Sequence, residues 1–178
     1  MKTHREKRYE MAVFRQIHID FWQDGFILDL TPEEKYFYLY LMTNSKTTQC
    51  GVYELPKRII ETETGYNRET IEKLLDRFKD YEKIIYDKDT NEIFIYNWVK
   101  YNKIVSPKVK KCVEKELRAI KSKKLINLFL NECSKYGYSI DTLSIPIPKV
   151  EINFKNHYGE EKEKKKKNKK KKKKNKDI

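Results

Sequence analysis

The sequence predicts a mainly helical α+β fold: a helix-turn-helix with a β-hairpin wing, preceded by an N-terminal arm and followed by basic helices and a disordered Lys-rich tail. Three observations predict it. Helix-start residues recur ahead of apolar residues at helical spacing, as in "LTPEEKYFYLYLMTN", "TGYNRETIEKLLDRF" and "SPKVKKCVEKELRAI". Two β-branched and aromatic runs, Ile84 to Tyr86 and Ile93 to Tyr96, flank the polar "DKDTNE". Nearly all Phe, Trp, Tyr, Ile and Leu lie before Gly159, so the final stretch has charge but nothing to bury.

In chain order, "FRQIHIDFWQDGFILDL" mixes aromatics with Asp20, Asp24 and Gly25 and reads as a short helix or irregular arm packed onto a core. The next helix is capped by Thr31, with Pro32 at its first position and Glu33 and Glu34 at the positive end of its dipole. Its Tyr36, Phe37, Leu39, Tyr40, Leu41 and Met42 predict a mostly buried element. "CGVYELP" is a single small strand between Gly51 and Pro56, and "PKRIIETET" a short helix ending before Gly65. Asn67 then caps a helix whose Ile71, Leu74, Leu75 and Phe78 share one face. The hairpin follows directly, which is the winged-helix order over Thr31 to Trp98.

Beyond it, Ser106 and Pro107 open a helix with Val109, Val113, Leu117 and Ile120 on one stripe. "KKLINLFLNECSKYG" is a second helix closed by Gly137, and "YSIDTLSIPIPKVEINF" an extended linker. The expected organisation is a winged-helix domain with its arm at 1–104, a basic helical extension at 105–137, and linker plus tail at 138–178. Trp22 and Trp98 read as core anchors.

The formal net charge is +13, but it is unevenly placed. Residues 1–100 carry 16 Lys+Arg against 18 Asp+Glu, and residues 101–178 carry 24 against 9. The basic character therefore belongs to the C-terminal part. Cys50, Cys112 and Cys133 have no CxxC spacing and no His around them, so no metal site or disulfide framework is expected. His4, His18 and His157 stand beside no nucleophile, and no phosphate-binding glycine loop or HExxH is present. Neither catalysis nor a cofactor is expected. The first twenty residues lack a signal-peptide apolar run, and no segment has the ~20 apolar residues of a membrane span. These absences predict a soluble cytoplasmic protein with no membrane partner.

The stretches "FRQIHIDFWQDGFILDLTPEEKYFYLYLMTNSKT", "CGVYELPKRIIETETGYNRETIEKLLDRF" and "IFIYNWVKYNKIVSPKVKKCVEKEL" resemble the N-terminal winged-helix domain of phage replisome organisers and related DnaD-like replication initiation proteins, over about Phe14 to Leu117. The resemblance implies a role in initiating DNA replication at a phage or plasmid origin, self-association into a homo-oligomer, and a replicative helicase or loader as partner, at the nucleoid of a bacterial or phage-infected cell. Family members often continue into a Tyr-rich, Pro-Ile linker and a second helical domain that binds single-stranded DNA. Here "YGYSIDTLSIPIP" looks like the linker, and then the chain runs into Lys and Asn.

A winged helix lays the second helix of its motif in the major groove and the wing on the backbone. On that reading Asn67, Arg68, Thr70, Lys73 and Arg77 face DNA, with Lys88 at the wing tip; Asn and Arg suit adenine and guanine edges. The alternative is a solvated or partner-binding face laced by pairs such as Glu69 with Lys73. Residues 67–83 sum to zero charge and "YDKDTNE" to −2, and carboxylates on the presenting face weaken phosphate contacts. Largely non-specific DNA binding is instead expected from Lys108, Lys110, Lys111 and Lys115, with Arg118. The tail would join them through Lys164, Lys165, Lys166, Lys167, Lys169, Lys170, Lys171 and Lys172, from a run with twelve lysines between Lys162 and Lys176. A winged-helix transcriptional regulator acting at a promoter is the alternative function, and a pure interaction module a third.

Overall fold

A computed structural model describes residues 15–140; the start of the arm, the linker and the Lys-rich tail with its candidate lysines lie outside the described residues. The chain is mainly helical with a small three-stranded antiparallel sheet.

The arm is a 3-10 turn, Ile19–Gln23, followed by the one-turn helix α1, Gly25–Leu28, whose start is held by the Asp24 carboxylate accepting from the Phe26 N–H at 2.9 Å. Phe21 and Phe26 turn inward against Tyr38, and Phe26 also meets Phe78 and Tyr81 edge-on. Trp22 is not the core anchor expected of it. It is 54% exposed, because Phe21 takes the inward position of the turn and Trp22 meets only its edge.

Helix α2, Pro32–Thr43, starts with a capping box: the Thr31 hydroxyl accepts from the Glu34 N–H, and the Glu34 carboxylate accepts from the Thr31 N–H at 2.9 Å. It buries Phe37, Tyr40 and Leu41. Tyr36, expected inside, is instead 46% exposed, where its ring meets Tyr66 edge-on. Strand β1, Val52–Glu54, and helix α3, Lys57–Thr64, follow; α3 ends at Gly65, whose left-handed φ of 77° turns the chain toward α4, Arg68–Asp80. The Asn67 side chain accepts from the Thr70 N–H and caps α4. Ile71, Leu74, Leu75 and Phe78 close over Phe37, Leu41, Ile60 and Ile84 in one apolar cluster.

Strands β2, Ile84–Asp87, and β3, Glu92–Ile95, form the hairpin, and β1 adds to the other edge of β3 in the order β1-β3-β2. All four residues of β3 are buried, so both faces of the sheet are covered. Ile93 and Ile95 join the cluster under α4. Successive side chains alternate across a strand, so Glu92 and Phe94 point the other way, with Val52 paired to Phe94 on that face.

The second face is covered by the basic extension. After Ile95 the chain turns at Asn97, φ 60°, into a helical turn that the sequence did not announce, α5, Trp98–Tyr101. Helices α6, Pro107–Ala119, and α7, Lys123–Lys135, follow, and α7 packs on β1 and β3. Val113, Leu117, Leu125, Ile126, Phe129 and Cys133 are buried there. Residues 105–137 thus contribute these six side chains to the core. The result is three layers: α2, α3 and α4; the sheet; α6 and α7.

Carboxylates hold the third layer in register by accepting backbone N–H groups across elements. Glu92 of β3 accepts from Lys121 and Ser122 at 2.8 and 2.7 Å, at the positive start of α7. Glu116 of α6 accepts from Gln49 and Cys50, both at 2.9 Å. The Trp98 indole donates to the Gln49 carbonyl at 3.0 Å, and its ring lies so close over Gly51, φ 72°, that a Cβ there would sit 2.3 Å away. Only glycine fits.

Glu132 of α7 accepts from the Asn97 N–H and is 3% exposed, and its second oxygen has no hydrogen-bond partner among the described residues. Burial raises its pKa above the ordinary 4.5, outweighing the Asn97 hydrogen bond. A raised folded-state pKa means the folded chain binds the proton more tightly. That stabilisation is complete below the unfolded value and is lost as pH rises through the folded one. Glu132→Gln is therefore expected to gain stability relative to the wild type as pH increases from about 4.5 toward neutrality. Urea unfolding of both proteins across that range checks it; a pH-independent difference contradicts it.

Candidate nucleic-acid and partner interface

The expected reading helix, α4, is amphipathic, and its outermost face is acidic. At about 100° per residue, Glu69, Lys73, Asp76 and Asp80 fall within about 30° of the direction opposite the buried Ile71, Leu74, Leu75 and Phe78, and Glu72 stands about 70° to one side of it, so the carboxylates Glu69, Glu72, Asp76 and Asp80 form a stripe that Lys73 adjoins. Lys73 stands beside Asp80 on the outward face, and Arg68 and Arg77 fall on the flanks. All four residues of the acidic stripe are exposed.

Each of the three cations is held by a carboxylate of the same chain. Arg68 makes a bidentate pair with Glu61 of α3, at 2.8 and 2.7 Å. That pair holds the Glu61 carboxyl below its usual range and raises the Arg68 guanidinium further. Lys73 reaches back to Glu69 at 2.6 Å, the i,i+4 pair the sequence offers. Arg77 reaches Glu34 of α2 at 3.3 Å, where the Tyr81 hydroxyl also donates at 2.9 Å. Burial pushes the Glu34 carboxyl up, but the Thr31, Tyr81 and Arg77 groups outweigh it and hold it low. Glu72 is engaged by Lys57 of α3.

The remaining candidates of this group are placed as follows. Asn67 spends its side-chain oxygen on the α4 cap, and half-buried Thr70 lines a shallow pocket of about 120 Å³ with Glu33, Lys73, Leu74 and Arg77. Lys88 is exposed in the β2–β3 turn, but the neighbouring Asp87 carboxylate is drawn to α7: it accepts from the Ser122 hydroxyl at 2.6 Å, which with the Asp89 and Thr90 N–H groups lowers its pKa. The hairpin is thereby tied to the third layer.

Helix α6 is the mirror case. Lys108, Lys111, Lys115 and Arg118 lie within about 80° of one another, opposite buried Val113 and Leu117. All four are exposed. Lys108, Lys110, Lys111 and Lys115 form no ion pair among the described residues. The acidic residues of the same helix lie elsewhere: Glu116 is turned inward to Gln49 and Cys50, and Glu114 is half-buried. Lys110 is half-buried and sits off the outward stripe. The sequence places carboxylates on the presenting face of α4 but does not show which of them point outward. The i, i+3, i+7 spacing of Glu69, Glu72 and Asp76 was the available signal.

Among the described residues no helix is long and apolar enough to cross a membrane, and no group of three or more His, Cys, Asp or Glu is placed to hold a metal ion. The chain matches no protein-family model, no curated protein and no solved structure.

Proposed function

We propose that this chain is a winged-helix module of DNA-replication initiation, similar to phage replisome organisers, that holds duplex DNA without sequence preference and works as an assembly. The observation carrying the mode of action is the opposite sign of its two outward helix faces: carboxylates on α4, cations on α6. A helix that reads bases offers unengaged Arg and Asn to the groove and must first approach the phosphates. On α4 the outermost groups are Glu69, Asp76 and Asp80 with Lys73, which is already paired to Glu69, and Arg68 is already held in the bidentate geometry it would need for guanine. The α6 stripe suits phosphate, and the Lys-rich segment 162–176 adds charge to it. The replication role itself rests on the resemblance over Phe14–Leu117, and a replicative helicase or loader is the partner it suggests. A promoter-binding regulator is the less supported function, because it requires α4 as reader.

The test is duplex binding by Asn67→Ala with Arg68→Ala, on several unrelated sequences. The expected result is unchanged affinity and no preference among sequences. A footprint on one short palindrome, erased by the two changes with a loss of about 1–3 kcal/mol per bidentate contact, would make the chain a regulator instead.

A further inference from the structure

The two charged stripes match in pattern as well as in sign. Glu69, Glu72 and Asp76 stand at i, i+3 and i+7 on α4, and Lys108, Lys111 and Lys115 stand at the same spacing on α6. Each set of three runs about 10 Å along its helix at ~1.5 Å per residue. The α4 stripe lies on the Ile93 and Ile95 side of the sheet, whereas α6 leads into α7, which packs on β1 and β3, where Val52 and Phe94 pair on the other face.

We infer that copies of this chain associate head to tail, the α4 stripe of one copy docking on the α6 stripe of the next. The inference rests on the assembly reading above and gives that assembly its surface and polarity. Like charges on like stripes disfavour a twofold contact of α4 with α4, or of α6 with α6. Stripes on opposite layers cannot both be satisfied within one pair of rigid copies. A contact of this kind is heterologous, so it continues into a chain of copies rather than closing as a dimer. The acceptor side has charge to spare: Asp76 and Asp80 form no ion pair among the described residues, and Glu33 lines the adjacent pocket. The contact is salt-sensitive, because both stripes are solvent-exposed.

The test uses full-length chains in sedimentation velocity at low salt, with circular dichroism to confirm folding. One variant carries Lys111→Glu with Lys115→Glu, a second carries Glu69→Lys with Asp76→Lys, and a third carries all four changes. Wild type is expected to show a sedimentation coefficient that rises with concentration and falls with added salt. Each two-site variant alone is expected to stay monomeric, an equimolar mixture of the two to regain association, and the four-site variant to associate by itself. Association of the Lys111/Lys115 variant alone overturns the proposal and points to the Lys-rich segment as occupant of α4; a wild type that is monomeric throughout overturns it as well. Duplex binding measured on the same proteins keeps the two readings apart. Loss of DNA affinity in the Lys111/Lys115 variant speaks for the phosphate-binding face, whatever the oligomer result.

Discussion

A chain ending at residue 104 is expected not to hold the fold, whereas one ending at residue 140 is expected to unfold in a single cooperative step. The shorter chain keeps α1 to α5 and the three strands but lacks α6 and α7. Val113, Leu117, Leu125, Ile126, Phe129 and Cys133 would no longer cover the second face of the sheet. At about 1.5–3 kcal/mol for each large apolar side chain, the lost burial is on the order of 10 kcal/mol, which equals the whole stability of an ordinary domain. Polar losses add to it. Glu92, 2% exposed, would lose the Lys121 and Ser122 N–H groups that justify its burial, and the Gln49, Cys50 and Asn97 N–H groups would lose Glu116 and Glu132. Far-UV circular dichroism and urea unfolding of the two chains check the expectation. A cooperative transition in the shorter chain, within about 2 kcal/mol of the longer one, would show that the third layer contributes little.

The same elements show what the sequence made legible and what it left hidden. Local chemistry was readable: Thr31, Asn67 and Ser106 each accept the N–H that a capping residue should, and Gly65 takes the left-handed turn between α3 and α4. These depend on residues within one helical turn, so their spacing is visible in the string. The covering of the hairpin was not read, although a trace of it was present. "IFIY" is a continuous apolar run, and a strand with one wet face alternates instead. Read that way, a second layer follows, and the only apolar helices left to supply it are α6 and α7.

The charge pairing was hidden for a different reason. Glu34 and Arg77 are 43 residues apart, and Glu116 and Cys50 are 66 apart, so neither pair has a local signature. Only Glu69 with Lys73, one helical turn apart, could be paired by inspection. Summing residues 67–83 to zero correctly removed the excess positive charge from this helix but could not say which sign faces out. That required the helical phase relative to the core, which Ile71, Leu74, Leu75 and Phe78 fix once they are known to be buried.

The phase of α6 leads to the second large effect. Lys108→Glu, Lys111→Glu and Lys115→Glu together, in the chain ending at residue 140 so that the tail lysines do not mask the result, are expected to weaken duplex binding by two to three decades at about 0.1 M salt. Each lost phosphate contact removes about 0.9 from the slope of log affinity against log salt, so the slope should flatten by about 2.7. The three positions point away from buried Val113 and Leu117 and form no ion pair among the described residues, so folding should change little. Matched circular dichroism and urea midpoints verify that. Neutralising the opposite face, with Glu69→Gln and Asp76→Asn, should leave both affinity and slope nearly as they were in protein dilute enough that copies do not cover one another's α6 stripe. The two outcomes separate the candidate surfaces by sign alone: if α4 were the phosphate-binding face, removing its carboxylates would strengthen binding several-fold and the α6 reversals would do little. A flattened slope confined to the α6 variant assigns the phosphates to the third layer, on the far side of the sheet from the helix that the motif would nominate.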